Sequence, residues 1–131
     1  MPRLAPLDLE NLTPEQQAVA QAIISGPRGG LRGPFESWLR SPELAARAQS
    51  LGEYCRFGSS LPRDLSEFAI ILSGKHWRSQ FEFWAHARLA REAGLPADIL
   101  EAARTGQPPV CRNSAQQAIH DLVTEYCATN R

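Results

Sequence analysis

Apolar residues recur along this chain at intervals of three and four, and nowhere do they alternate with polar ones over the length of a strand. That spacing gathers them on one side of a helix, so the pattern predicts an all-α bundle of about six helices without a sheet. Thr13-Pro14-Glu15-Gln16 opens the first helix. Thr13 can cap it, Pro14 suits the first turn and Gln16 completes a capping box. Val19, Ala22 and Ile23 carry it to Gly26-Pro27, where a glycine-rich loop begins. Ser41-Pro42-Glu43 starts a helix with Leu44, Ala48, Leu51 and Tyr54 on one side, ending near Gly58. Ser59-Ser60-Leu61-Pro62 leads into the next, which is apolar nearly all round from Phe68 to Leu72 and is therefore expected to be central and buried. A further helix closes at Gly94 with Pro96 beyond it. Ala97 to Ala103 forms a short one, and Ser114 to Cys127 the last.

The helix before Gly94 carries the candidate chemistry. Ser79, Glu82 and His86, spaced by three and four, share a face with Phe83, Leu89, Ala90 and Ala93. A carboxyl group and an imidazole on an apolar stripe cost stability unless they are paired. A second misplaced acid, Glu67, stands fifteen residues before Glu82 in Leu65-Ser-Glu-Phe-Ala-Ile-Ile-Leu72. Two acids and a histidine in such company point to proton transfer, and the same residues could instead form a structural network in the core. His86 is the candidate acid–base group, with Glu82 fixing its tautomer and Glu67 reaching it from the neighbouring helix. A metal site is the next reading. The helical di-metal pattern requires Glu-x-x-His twice and the chain has no copy, so no metal ligands are expected. His76 is placed at a helix start and His120 on the side of the last helix.

Two other features bear on binding. Arg28 and Arg32 lie among the glycines of the Gly26–Phe35 loop, a combination suited to an anion, with Phe35 and Trp38 as apolar walls. A phosphate loop is excluded, since no Gly-Lys-Ser/Thr follows. On the far side of the Glu82 helix, Trp77, Phe81 and Trp84 cluster beside Arg88 and Arg91. A helix apolar on two faces either lies within a thick core or packs on another subunit.

Composition narrows the function classes. At 131 residues the chain is expected to form one domain, 1–131. Fourteen basic and fourteen acidic residues cancel without any basic stripe, which argues against nucleic acid as a partner. No apolar run approaches the length of a membrane span, and the N-terminus lacks the apolar core of a secretion signal, so a cytoplasmic location is expected. Cys55, Cys111 and Cys127 contain no Cys-x-x-Cys pair and read as reduced thiols, with Cys55 and Cys127 on helices and buried.

Leu65-Ser-Glu67-Phe-Ala-Ile, followed by His76-Trp77-Arg-Ser79-Gln-Phe-Glu82-Phe-Trp-Ala-His86 and running on to Gly94-Leu, resembles the carboxymuconolactone decarboxylase family. That superfamily also holds the alkylhydroperoxidase-D-type enzymes. The resemblance is specific over 41–106 and looser outside it. It implies an all-helical fold, a homo-oligomer (trimer or hexamer) in keeping with the Trp77, Phe81, Trp84 face, and chemistry without a cofactor. The implied substrate is a small carboxylated lactone or enolisable acid of the kind met in aromatic compound degradation. Catalytic roles then fall to His86, Glu82 and Glu67, and substrate contacts to Ser79, Arg28, Arg32, Phe35, Trp38 and Phe83. The peroxidase branch places a Cys-x-x-Cys pair where this chain has Ser79 and Glu82, so peroxiredoxin activity is the disfavoured alternative. A non-catalytic helical module that keeps the motif as core is another. Decarboxylase-branch members usually continue for several helices past the segment matching Ser114–Arg131, so a short variant is expected.

Overall fold

A computed structural model describes residues 4–129 of the chain. Among these residues there are seven α-helices and no strand. The chain divides between Ser59 and Ser60 into two compact units.

The first unit holds α1 (Pro14–Ser25), α2 (Phe35–Trp38) and α3 (Pro42–Glu53), the last running into a π-helical turn at Tyr54–Gly58. Short α2 is the element that the periodicity misses, because four residues make barely one turn and leave no repeat to read. The capping box on α1 forms as expected. Thr13 Oγ1 accepts from the Gln16 N–H at 3.3 Å, and the Thr13 N–H donates to Gln16 Oε1 at 2.9 Å. On α3 the buried side is not the leucine stripe. Leu44, Leu51 and Tyr54 are each more than half exposed, at 55%, 66% and 64%. The helix instead buries Ala45, which packs with Ala20 and Leu39 in a core flanked by Val19, Leu31 and Trp38. A side chain of one methyl lets helix backbones close up, whereas the branched leucines would hold them apart. Cys55, expected to be buried, is exposed in the π-helical turn.

The second unit holds α4 (Arg63–His76), α5 (Gln80–Glu92), α6 (Ala97–Thr105) and α7 (Ser114–Thr129). Helix α4 packs on all three others, as its apolar circumference requires. Phe68 and Ile71 from α4 meet Ala90, Leu95, Ile99, Leu100 and Ala103, with Leu72, Phe83, Ala87 and Ile119 around them. Gly74 lets α4 approach α5 closely: a Cβ there would stand 3.3 Å from the Phe83 backbone nitrogen. Cys127 of α7 is buried, and His120 is half-buried on the same helix.

The join between α4 and α5 falls inside the stretch expected to be one helix. His76 ends α4 rather than starting a helix, and Trp77 is its C-cap. The Ser79 N–H donates to the Gly74 carbonyl at 2.8 Å and the Arg78 N–H to that of Lys75 at 3.2 Å. This is the Schellman closure of a helix, with Arg78 in the left-handed position at φ 54. Helices α5 and α6 close in the same way with glycine in that position, Gly94 at φ 96 and Gly106 at φ 77.

A candidate proton-relay site

Glu67 lies in the middle of α4 and His86 in the middle of α5, and the contact between these helices brings the two side chains together. Glu67 is 3% exposed and His86 9%. His86 Nδ1 and Glu67 Oε2 stand 2.6 Å apart, within hydrogen-bond distance. Glu82, one turn earlier on α5, places Oε2 3.4 Å from the other ring nitrogen, Nε2. The imidazole therefore sits between two carboxyl groups, one sealed and one open, since the Glu82 side chain is 41% exposed. Because a carboxylate only accepts, the short contact puts a proton on Nδ1. Glu82, His86 and Glu67 thus form a line from the open end to the sealed one.

The open end meets a recess of about 380 Å³. Glu82 forms part of its wall together with Ala69, Ile70, Ser73, Trp77 and Ser79, while His86 stands behind Glu82. Ser79 is the N-cap of α5 rather than a residue of its helical face. Its backbone carbonyl accepts from the Phe83 N–H at 3.0 Å, and its hydroxyl caps nothing. Phe83 is half-buried against the core of this unit and lines a second, larger groove on the other side of α5. Ser79, Glu82, His86 and Glu67 thus converge, and Phe83 stands apart from the recess.

The other expected binding residues belong to the first unit. Arg28 lies over the ring of Phe35, its guanidinium carbon 5.1 Å from the ring centre. Burial pushes the Arg28 guanidinium down from its ordinary range and nearby Arg56 adds to this, against the pull of Glu53. Phe35 is buried and meets Trp38 edge-on at 5.6 Å, while Trp38 packs on the Ala20–Leu39–Ala45 core. Both aromatics act there as core side chains, and Arg32 is exposed.

None of the three cysteines lies on α5. Burial, with a smaller contribution from Asp121, raises the Cys111 thiol above its ordinary range, which lowers its thiolate fraction. Among the described residues, no group of three or more His, Cys, Asp and Glu side chains is placed to hold a metal ion. No helix among them is long and apolar enough to cross a membrane. Trp77, Phe81 and Trp84 are exposed at 62%, 47% and 71%, so they are not the interior of a thick core in this chain. The cationic walls of the larger groove, Arg78 above all, were not legible as a site. Arg78 reads as one more polar residue of a continuous helix until the break before α5 is known.

Comparison of the chain with protein-family models, with curated proteins and with solved structures gives no match.

Proposed function

We propose that Glu82, His86 and Glu67 relay a proton in a cofactor-independent decarboxylation, or a related proton transfer, on a small carboxylated lactone or enolisable acid. This is the chemistry of the carboxymuconolactone decarboxylase family, which the motif resembles. The observation that supports it most is the imidazole held between a sealed and an open carboxyl group, with the open one on the wall of a small, largely apolar recess. Such a volume, about 380 Å³, suits a single small ring.

In the reaction, the bond from the substrate's carboxylate carbon to its neighbour breaks and carbon dioxide leaves. The electron pair passes into the conjugated carbonyl as an enolate. Glu82 delivers a proton to carbon, His86 returns one to Glu82 from Nε2, water at the open end restores the ring's proton once product has left, and Glu67 balances the charge on the ring. Glu82 is the group that touches substrate. His86 and Glu67 act through it as positioning residues, a refinement of the assignment that makes His86 the donor. The exposed Trp77 and Phe81 support self-association of the chain.

Assay of unsaturated lactone acids in deuterium oxide, followed by NMR, reads carbon-bound deuterium and loss of the carboxyl group together. Glu82→Gln should slow turnover by about 10²–10⁴-fold, and His86→Asn should alter the pH profile as well as the rate. Folded variants that turn over as fast as the parent chain would end this reading. If the activity were that of a peroxidase, free thiols would instead disappear reversibly on addition of peroxide.

A further inference from the structure

The groove on the other side of α5 has a volume of about 1100 Å³. Its charged walls are all cationic: Lys75, Arg78, Arg88, Arg91 and Arg104. Phe83, Trp84 and Ala87 supply apolar surface between them. No acid lines it.

Three of the five cations are committed. Arg88 pairs with Glu92 at 2.5 Å, and Arg104 forks onto both oxygens of Glu101 at 2.7 and 2.6 Å. That pairing holds the Glu101 carboxyl below its ordinary range and the Arg104 guanidinium above its own. Lys75 Nζ donates to the Arg104 carbonyl at 2.6 Å, closing the last turn of α6. Arg78 and Arg91 make no ion pair or side-chain hydrogen bond among the described residues.

Arg78 is further set apart by its backbone. It occupies the left-handed closing position of α4, which α5 and α6 give to Gly94 and Gly106. Glycine would satisfy that turn without strain, so helix closure does not account for an arginine there. A strained residue carrying an uncommitted charge on the rim of a groove is best explained by what the charge meets.

We infer that this groove binds a small amphipathic anion, an aromatic or acyl carboxylate. Its apolar body lies on Phe83, Trp84 and Ala87, and its acid meets Arg78 and Arg91. The inference goes beyond the proton relay and needs none of it. Charge complementarity selects the ligand: a cationic rim around an apolar floor fits a molecule with one acidic end and one greasy end. A nucleic acid would need a basic stripe tracking along the surface, and the chain as a whole carries no net charge. A second copy docked by two-fold symmetry would set these cations against themselves, which opposes association.

Naphthoate and its neutral isostere naphthylmethanol are suitable probes, measured by calorimetry and by quenching of Trp84, with Trp84→Phe to assign the signal. Naphthoate should bind saturably and more tightly than naphthylmethanol, and added salt should weaken the acid alone. Arg78→Gly and Arg91→Gln should each weaken naphthoate by roughly tenfold or more while leaving naphthylmethanol unchanged. Arg78→Gly is the decisive variant, since glycine suits the backbone and the protein keeps its fold, as circular dichroism will show. Equal binding of the two probes, or naphthoate binding unaltered in Arg78→Gly, would overturn the inference. So would loss of naphthoate binding as the protein self-associates, which would assign the groove to a second copy. Turnover of lactone acids does not enter any of these readings, so failure here and failure of the relay are separable.

Discussion

Replacing His86 with alanine is expected to destabilise the protein by about 3–5 kcal/mol, read as a fall in the urea midpoint at unchanged slope. The cost arises at Glu67 rather than at the histidine. With the ring gone, a carboxyl group 3% exposed loses its 2.6 Å partner and faces a hole too enclosed for ready solvation. If that is the cause, removing the acid as well should recover most of the loss. The double variant His86→Ala, Glu67→Leu removes the acid together with its histidine and refills part of the volume, and buried pairs exchanged for hydrocarbon are often neutral. Both variants should be inactive. A double variant as unstable as the single one would locate the penalty in lost packing and not in the lost Glu67–His86 bond. The comparison also separates the relay from a purely structural network, because restored stability without restored turnover is the mark of a working site.

Phe68→Ala should cost a similar amount, about 3–5 kcal/mol, for a different reason. Phe68 is fully buried at the centre of the second unit, where α4 meets Ala90 of α5 and Ile99 and Ala103 of α6. The small alanines on the facing helices bring those helices close to the ring and leave nothing to swing into the space it would vacate. Ile71→Val, at an equally buried site on the same helix, removes one methyl and should cost only about 0.5–1.5 kcal/mol. Trp84→Ala, at a side chain 71% exposed, should scarcely move the urea midpoint although it deletes a larger group. Equal losses from Phe68→Ala and Trp84→Ala would mean that the interior is not where the buried surface places it.

Much of this was legible from the sequence, and the exceptions share a cause. Helix class, most helix boundaries and the capping box at Thr13 follow from local chemistry, which needs only neighbouring residues. The meeting of Glu67 with His86 was legible because two polar residues on apolar faces have few ways to be satisfied other than by each other. Three features were not. The burial of α3 through Ala45 rather than Leu44 and Leu51 depends on what a helix packs against, and apolar periodicity cannot weigh closeness against size. The break between the Glu67 and His86 helices was expected just before His76 and falls instead at Trp77–Ser79, because a Schellman closure is normally announced by glycine, and here arginine stands in its place. The order of the three groups, with Glu82 in front of His86, was also hidden. It turns on which of two acids keeps access to solvent, and both stand among apolar neighbours in the sequence.

The closing position of α4 also bears on how this chain would respond to selection. Arginine at 78 holds its backbone in a region that costs an ordinary residue about 1–2 kcal/mol, and glycine would remove most of that burden. A library screened only for heat tolerance would therefore drift toward glycine at this codon. One screened for capture of acidic molecules would keep the arginine, and the two lineages would part at a single position.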